Sequence, residues 1–175
     1  MKVIGVTGFI GSGKTTVCKE LEKLGVFYID SDLIVHDLYE AGKEGARKIE
    51  LFFGEDYLKK DGSVNRRKLK KVVFGDIRKL KILNNLIHPL VCAEIERVLK
   101  KSDAEICVIE AVYFEKKNLG RFIDKLVWVE GRNVDEKISN LQEKPKHVDF
   151  GIENNSSKEE LKIKVKKLWQ KIMSL

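Results

Sequence analysis

Residues 8–15, near the amino terminus, have the types and spacing of a loop that binds phosphate groups. They read Gly-Phe-Ile-Gly-Ser-Gly-Lys-Thr and match the pattern G-x-x-x-x-G-K-[ST] at every fixed position. Glycine lets successive backbone N–H groups turn inward around a phosphate, where a Cβ would obstruct them. Lys14 can reach the β- and γ-phosphates, and the Thr15 hydroxyl can hold Mg²⁺. The loop therefore predicts a site for a nucleoside triphosphate and Mg²⁺.

A pair of carboxylates, Asp30 and Asp32, follows the second predicted strand. At the carboxyl edge of a parallel sheet they would lie on the same side as the phosphate loop. One could accept a proton from an attacking hydroxyl, and one could orient Mg²⁺ or its waters. The alternative is that they cap the helix that follows. His36 comes four residues after Asp32, on the same helical face, and could pair with a carboxylate there.

Three further residues could contribute to chemistry, and each has a structural alternative. His88 precedes Pro89, which predicts a helix start, so His88 could contact a phosphate or cap that helix. Arg66 suits bidentate phosphate binding, or it belongs to a solvated basic face. Glu110 interrupts an apolar run, which is costly unless it is paired or near a metal. It either lies at the strand end beside Mg²⁺ or is already past the buried part of the strand.

The elements that must position these residues alternate between strands and helices. Apolar runs predict strands at residues 2–7, 26–29, 105–112, 125–130 and 149–152, with helical patterns between them. Together with the phosphate loop after the first strand, this alternation predicts an α/β fold of the P-loop NTPase type, with three layers and a five-stranded parallel sheet. We expect a single domain over residues 1–175. Residues 32–103 are almost entirely helical in pattern and predict an insert that binds the substrate.

Composition describes a soluble globular protein. The chain has 34 basic and 27 acidic residues, a net charge of +7, which we interpret as a solvated surface because the basic residues are dispersed. We expect no nucleic-acid binding, since no aromatic residues interleave with them, and no membrane span. The three cysteines are far apart in the sequence and predict reduced structural residues in the cytoplasm. We expect a monomer.

With these residues assembled, the chain resembles the dephospho-CoA kinase family. The motifs that carry the resemblance occur in order along most of the chain: residues 6–16 (VTGFIGSGKTT), 29–32 (IDSD) with His36, 61–66 (DGSVNR), 87–89 (IHP), 114–115 (FE), and Asp149 with 154–155 (NN). The phosphate loop alone fits many kinases. The ordered set from Asp30 to Pro89 is far more specific.

The resemblance implies ATP-dependent phosphorylation of the ribose 3′-hydroxyl of dephospho-CoA, the last step of coenzyme A synthesis, with Mg²⁺ as cofactor. Asp32 would be the general base and would share Mg²⁺ with Thr15. The acceptor would be bound through the insert, with Asp30, His36, Arg66 and His88 as contributors. The ATP site would comprise Gly11, Ser12, Gly13, Lys14, Thr15, Thr16 and Asn154, with Lys14 also catalytic.

The chain departs from the family pattern in the segment that forms the lid. The family carries an arginine-bearing lid after the fourth strand, and here only residues 131–148 separate Glu130 from Asp149. Arg132 is the one arginine in this reduced lid. We expect Arg132 to bring positive charge to the transferring phosphoryl group. The alternatives are that a nearby lysine substitutes or that closure is incomplete.

Two other functions stay open from the sequence. A related kinase could act on a nucleoside monophosphate or another small alcohol, which the short lid keeps possible. A nucleotide-binding switch or nucleic-acid-associated NTPase would need a water-activating residue and a clustered basic face. Neither feature is evident in the sequence.

Overall fold

A parallel five-stranded sheet forms the centre of the computed structural model, which describes residues 1–115, 117–131 and 144–174. The strand order is β2-β3-β1-β4-β5, and every neighbouring pair is parallel. The bounds are β1 (Lys2–Thr7), β2 (Phe27–Asp30), β3 (Ile106–Glu110), β4 (Lys125–Gly131) and β5 (Phe150–Asn154). The predicted sheet is therefore confirmed, with ends that differ from the predicted bounds by at most two residues.

Two helices cover one face of this sheet, α1 (Lys14–Glu22) and a carboxyl-terminal helix (Lys158–Met173). Both are amphipathic, and their apolar residues join those of β1, β3 and β4 in one buried cluster. The carboxyl-terminal helix starts at Ser157 with a capping box that also uses Glu160. On the opposite face Gly5 lies close to the side chains of Ile123, Leu126 and Phe114. Because β1 is buried on both faces, it is apolar almost throughout.

The position of β1 explains where a ligand can bind. Strand β1 is central, with β3 on one side and β4 on the other. The chain winds first toward the β2 edge and then crosses to β4, so its direction changes beside β1. Open parallel sheets bind ligands outside the carboxyl ends of their strands at such a point. Residues 8–13 leave β1 there and lead directly into α1.

Residues Ser31–Ser102 form a compact unit of their own, separate from the unit made by Met1–Asp30 and the described residues from Asp103 onward. Four α-helices and a short 3-10 helix (Glu55–Tyr57) build it: the α-helices are α2 (Ser31–Leu38), α3 (Glu44–Phe53), α4 (Arg66–Phe74) and α5 (Ile77–Lys101). Helix α5 packs against the other three. The carboxyl-terminal helix, Lys158–Met173, is α6 in the numbering used below.

The expectation that Pro89 starts a helix is wrong, because Pro89 lies inside the 25-residue helix α5. The helix begins after Asp76, whose side chain accepts a hydrogen bond from the backbone N–H of Arg78 at 2.9 Å. Pro89 has no N–H to donate to the carbonyl of Asn85, which weakens the helix locally. Packing outweighs this loss, since the turns on both sides of the proline bury Ile87, Val91, Cys92 and Ile95.

Helices long and apolar enough to cross a membrane are absent from the described ranges.

The last residues of two strands, β4 and β5, contact Ser12 in the middle of the candidate phosphate loop. A Cβ on Gly131, the last residue of β4, would lie 2.4 Å from the Cα of Ser12 and 2.7 Å from its carbonyl oxygen. Asn154, the last residue of β5, donates from Nδ2 to the same carbonyl at 2.9 Å. The backbone of Ser12 is therefore held from one side by a residue that must be small and from another by a hydrogen bond.

We predict that Gly131→Ala destabilises the protein, because the new Cβ forces the backbone of Ser12 to move. Overpacking of this kind costs about 1–3 kcal/mol, and urea unfolding measures the loss. Gly151→Ala is the matched control, since Gly151 also lies in a strand and its Cβ would meet nothing within 4 Å. Equal unfolding free energies for the two variants would contradict the close approach of β4 to the loop.

Candidate active-site residues

The loop after β1 has the backbone geometry that a phosphate site requires. Gly11 and Gly13 have φ of 85° and 89°, in the left-handed region that favours glycine. Helix α1 begins at Lys14, and no side chain caps it, because the N-cap residue is Gly13. The first N–H groups of a helix have no partner within the helix and attract anions. The loop therefore presents backbone donors at the amino terminus of α1.

Lys14 holds its ammonium group inside this loop. Its Nζ donates to the carbonyl oxygens of Gly8 at 3.1 Å and Phe9 at 3.0 Å, and the residue is only 7% exposed. A buried ammonium is costly without a compensating charge. The two carbonyl dipoles stabilise it, and a bound phosphate would bring negative charge next to it.

The buried hydroxyl of Ser12 also indicates that the loop is arranged around a bound ligand or water. Its Oγ is buried and has no hydrogen-bond partner within the described residues. Buried polar atoms in folded proteins nearly always have a partner, so an exception needs an explanation. The neighbouring residue Gly8 is tightly enclosed, because a Cβ there would lie 2.4 Å from the carbonyl oxygen of Val129. A bound ligand or an ordered water would complete the hydrogen bonding of this loop.

Glu110 connects the first turn of α1 to strand β2. The Thr15 hydroxyl donates to Glu110 Oε1 at 2.8 Å, and the Tyr28 hydroxyl makes a short hydrogen bond to Glu110 Oε2. The Tyr28 oxygen also lies 3.4 Å from Asp30 Oδ2. Glu110 is 7% exposed and ends β3, directly opposite Asp30 in the register. Glu110 is thus buried and paired at the strand end and does not lie past the buried part of the strand.

Two neighbouring groups keep their protons in this environment. Burial, followed by the hydrogen bond to Glu110, raises the pKa of Tyr28 well above its usual range. Burial, together with the nearby charge of Glu110, likewise raises the pKa of the Cys18 thiol. Tyr28 is therefore a hydrogen-bond donor to the carboxylate, and Cys18 is a packing residue rather than a nucleophile.

The donors around Thr15 fit a magnesium ion. Mg²⁺ prefers oxygen ligands, and it usually binds to one or two protein groups together with substrate phosphates. Thr15 offers a hydroxyl oxygen next to the carboxylate of Glu110. Clusters of three or more His, Cys, Asp or Glu side chains that could hold a metal are absent from the part of the chain that the structure describes. This set suits a metal that arrives with a nucleotide better than one held in a protein cage.

Aromatic packing fixes the outer side of the loop. The ring of Phe9 stands edge-on to Trp128 of β4, with centroids 5.0 Å apart. The Trp128 indole N–H donates to Glu130 at 2.6 Å. Lys144 Nζ lies 5.2 Å from the centre of the Trp128 ring and 3.6 Å from Glu130. One alternative from the sequence is that a lysine near the lid substitutes for Arg132. Lys144 lies at the end of β4, where such a lysine would be needed.

In the helical unit the structure brings two of the predicted acceptor residues together. Arg66 is the first residue of α4, and its Nη1 lies 3.1 Å from Nδ1 of His36 on α2. Because a guanidinium only donates, His36 Nδ1 must be the acceptor, with the proton of the neutral ring on Nε2. The hydrogen-bond partner that the structure gives His36 is therefore a cation, where the sequence suggested a carboxylate.

The remaining predicted residues are placed separately. Asp32 is exposed in the first turn of α2, and His88 is half-buried within α5. Thr16 is exposed on α1, next to Thr15. Arg132 lies outside the described residues, as does most of the segment expected to form the lid.

Sequence reasoning missed the role of Tyr28. Residues Tyr28 and Asp30 point to the same face of β2 because side chains alternate along a strand. The missing information was that β3 lies beside β2 with Glu110 opposite Asp30. With the strand order 2-3-1-4-5 assumed in advance, that register could have been proposed.

Comparison with known proteins agrees with this arrangement. The family model described as dephospho-CoA kinase matches residues 2–147. A dephospho-CoA kinase from Aquifex aeolicus is 31% identical, and the match covers 98% of each chain. Its 192 positions exceed the 175 residues of this chain, so the relative has residues that this chain lacks.

Two solved structures have the same fold over nearly the whole chain. A dephospho-CoA kinase from Campylobacter jejuni has a TM-score of 0.65 and 25% identity, and it covers 98% of this chain and 97% of its own. A protein from Thermus thermophilus has a TM-score of 0.75 and 25% identity, with 97% of each chain covered. The matched length, the ordered motifs and the phosphate loop lead to one conclusion: this chain belongs to the dephospho-CoA kinase family.

Proposed function

We propose that this protein transfers the γ-phosphoryl group of ATP to the ribose 3′-hydroxyl of dephospho-CoA, which gives coenzyme A and ADP. The observation that carries the proposal is the preformed loop of residues 8–15, with the Lys14 ammonium already inside it. Family membership supplies the acceptor, because the matched relatives are dephospho-CoA kinases. Phosphoryl transfer relies mainly on positioning and charge stabilisation, which such a loop provides.

In this proposal the loop binds the phosphates of ATP. The backbone N–H groups of residues 11–16 and the Lys14 ammonium neutralise the charge that moves to the leaving ADP. Asn154 contributes by holding the Ser12 carbonyl, which keeps the loop in shape. Thr15 and Asp32 would hold Mg²⁺, which would supply positive charge beside the phosphates of ATP.

Asp32 is the proposed general base. It is an exposed carboxylate in the first turn of α2, two residues beyond the end of β2. Asp32 accepts the proton of the 3′-hydroxyl while that oxygen bonds to the γ-phosphorus. The bond between the γ-phosphorus and the β–γ bridging oxygen breaks, and ADP leaves with the electron pair.

The acceptor is proposed to bind through the helical unit. Arg66 suits the diphosphate of dephospho-CoA because its guanidinium can bind phosphate oxygens in a bidentate manner. His36 fixes the orientation of Arg66 through their contact of 3.1 Å. Asp30 and His88 are further proposed contacts, and Arg132 is proposed to bring positive charge to the transferring phosphoryl group.

We further propose that the protein works as a cytoplasmic monomer with no nucleic-acid or membrane partner. Its three cysteines are buried and form no disulfide bond within the described residues, which suits a reducing compartment.

An acceptor panel tests the function itself. We expect ADP release with ATP and Mg²⁺ to rise only when dephospho-CoA is added, because the acceptor supplies the attacking hydroxyl. Nucleoside monophosphates and shikimate serve as competing acceptors, and an assay without acceptor reports hydrolysis. Faster ADP release with another acceptor would favour a related kinase, and equal release without acceptor would favour a hydrolytic NTPase.

Asp32→Asn should lower kcat for dephospho-CoA by about 100- to 10,000-fold, because the amide cannot take the proton. Binding of ATP without Mg²⁺, measured by calorimetry in excess EDTA, should change little. Asp37→Asn is the matched control, since Asp37 is also exposed on α2. An Asp32→Asn enzyme with normal kcat would rule out the general-base role.

Arg66→Ala should raise the KM for dephospho-CoA by about 10- to 100-fold, the loss expected for hydrogen bonds to a charged group. The KM for ATP should stay within a factor of two to three of the parent value. Arg67→Ala is the control, because Arg67 is the next residue of α4 and is also exposed. Similar effects of both substitutions would indicate only a general loss of positive charge.

A further inference from the structure

The hydrogen bonds of Glu110 form a chain from the phosphate loop to β2. One carboxylate oxygen accepts from Thr15 on the first turn of α1, and the other accepts from Tyr28 on β2. Tyr28 is partly buried, and Glu110 is almost completely buried. The carboxylate therefore has a hydroxyl donor on each of its two oxygens, and these donors come from two different elements.

The bond to Glu110 determines how the Thr15 hydroxyl is turned. A hydroxyl group has one proton and two lone pairs. Because the proton of Thr15 points at Glu110, the lone pairs of its oxygen point elsewhere and can coordinate a cation. The negative charge of Glu110 also attracts a cation to this place. Both effects require that the carboxylate stays in one orientation.

Tyr28 supplies that orientation. A carboxylate with a single donor can rotate about its last side-chain bond, because such terminal torsions are broad. A donor on the second oxygen removes this freedom. The Tyr28 oxygen is also 3.4 Å from Asp30, a longer and weaker contact than the one to Glu110. Its main partner is therefore Glu110.

We propose that Tyr28 is a positioning residue that, through Glu110, turns the Thr15 hydroxyl so that the loop binds the metal complex of a nucleotide. Tyr28 acts on the metal-dependent part of nucleotide affinity and not on the contacts that the loop makes with the phosphates directly. The proposal deepens the proposed function, but it concerns the nucleotide alone and does not depend on which acceptor is phosphorylated.

The test compares ADP binding with and without metal in Tyr28→Phe, which removes one oxygen and keeps the ring. Calorimetric titration with Mg²⁺ present and with excess EDTA gives the two affinities. We expect the affinity for Mg·ADP to fall about ten-fold, the typical effect of losing a hydrogen bond to a charged group. The affinity for ADP in EDTA should stay within a factor of two. Equal losses under both conditions, or none, would overturn the proposal.

Tyr57→Phe is the matched control, because it removes the same atom from a tyrosine in the helical unit. It should leave both affinities unchanged. Thermal unfolding of each variant checks that the comparison uses folded protein. A purely structural role of Tyr28 would lower the melting temperature and reduce both affinities together.

A second variant tests the route through Glu110. Glu110→Gln should also lower the affinity for Mg·ADP and spare the affinity in EDTA, and it remains informative if Tyr28→Phe fails to fold. In the double variant, Tyr28→Phe should add less than a two-fold loss to that of Glu110→Gln, since the group on which it acts is already changed. Fully additive losses, or an unchanged metal dependence in Glu110→Gln, would overturn the proposal. Because no acceptor is present, failure with dephospho-CoA would leave this result interpretable.

Discussion

The turn from β1 into α1 concentrates backbone N–H groups and a buried ammonium around one small space, and much of the surrounding structure keeps that turn in shape. Gly131 lets β4 approach Ser12, and Asn154 holds the Ser12 carbonyl from β5. Phe9 packs against Trp128 on the outer side. These contacts come from two neighbouring strands, β4 and β5. The sheet order that brings β1 between β3 and β4 is therefore the condition for the site.

The carboxylate of Glu110 shows how this edge of the sheet accommodates charge. A buried carboxylate is stable only with hydrogen-bond donors, and Thr15 and Tyr28 provide them. The arrangement joins the start of α1 to two neighbouring strands. Val108 lies two positions earlier on the same face of β3, and it is apolar like most buried residues of the sheet. A polar group at this depth is consistent with a cation bound nearby.

In the helical unit, a contact between two helices orients the side chain of Arg66. Arg66 lies at the start of α4 and is oriented by a neutral imidazole on α2. Two helices that α5 packs together thus hold a guanidinium in one direction. An exposed arginine with a fixed direction loses less entropy when it binds a phosphate than one that moves freely.

The strands were predictable from the sequence because buried parallel strands read as continuous apolar runs. Local rules failed at Pro89, where the packing of α5 outweighs the missing hydrogen bond. The role of Tyr28 could not be predicted, since it depends on which strand lies beside β2 and in which register. The need for glycine at position 131 could not be predicted either, because only the folded chain brings Gly131 against Ser12.

The most direct test of the account is to identify the product by ³¹P NMR after incubation with ATP, Mg²⁺ and dephospho-CoA. The account predicts a new phosphate monoester on the ribose 3′-oxygen, formed in equal amount to ADP. It also predicts no such product from an acceptor that lacks the 3′-hydroxyl. Phosphate that appears only as inorganic phosphate, or on another position of the acceptor, would contradict it.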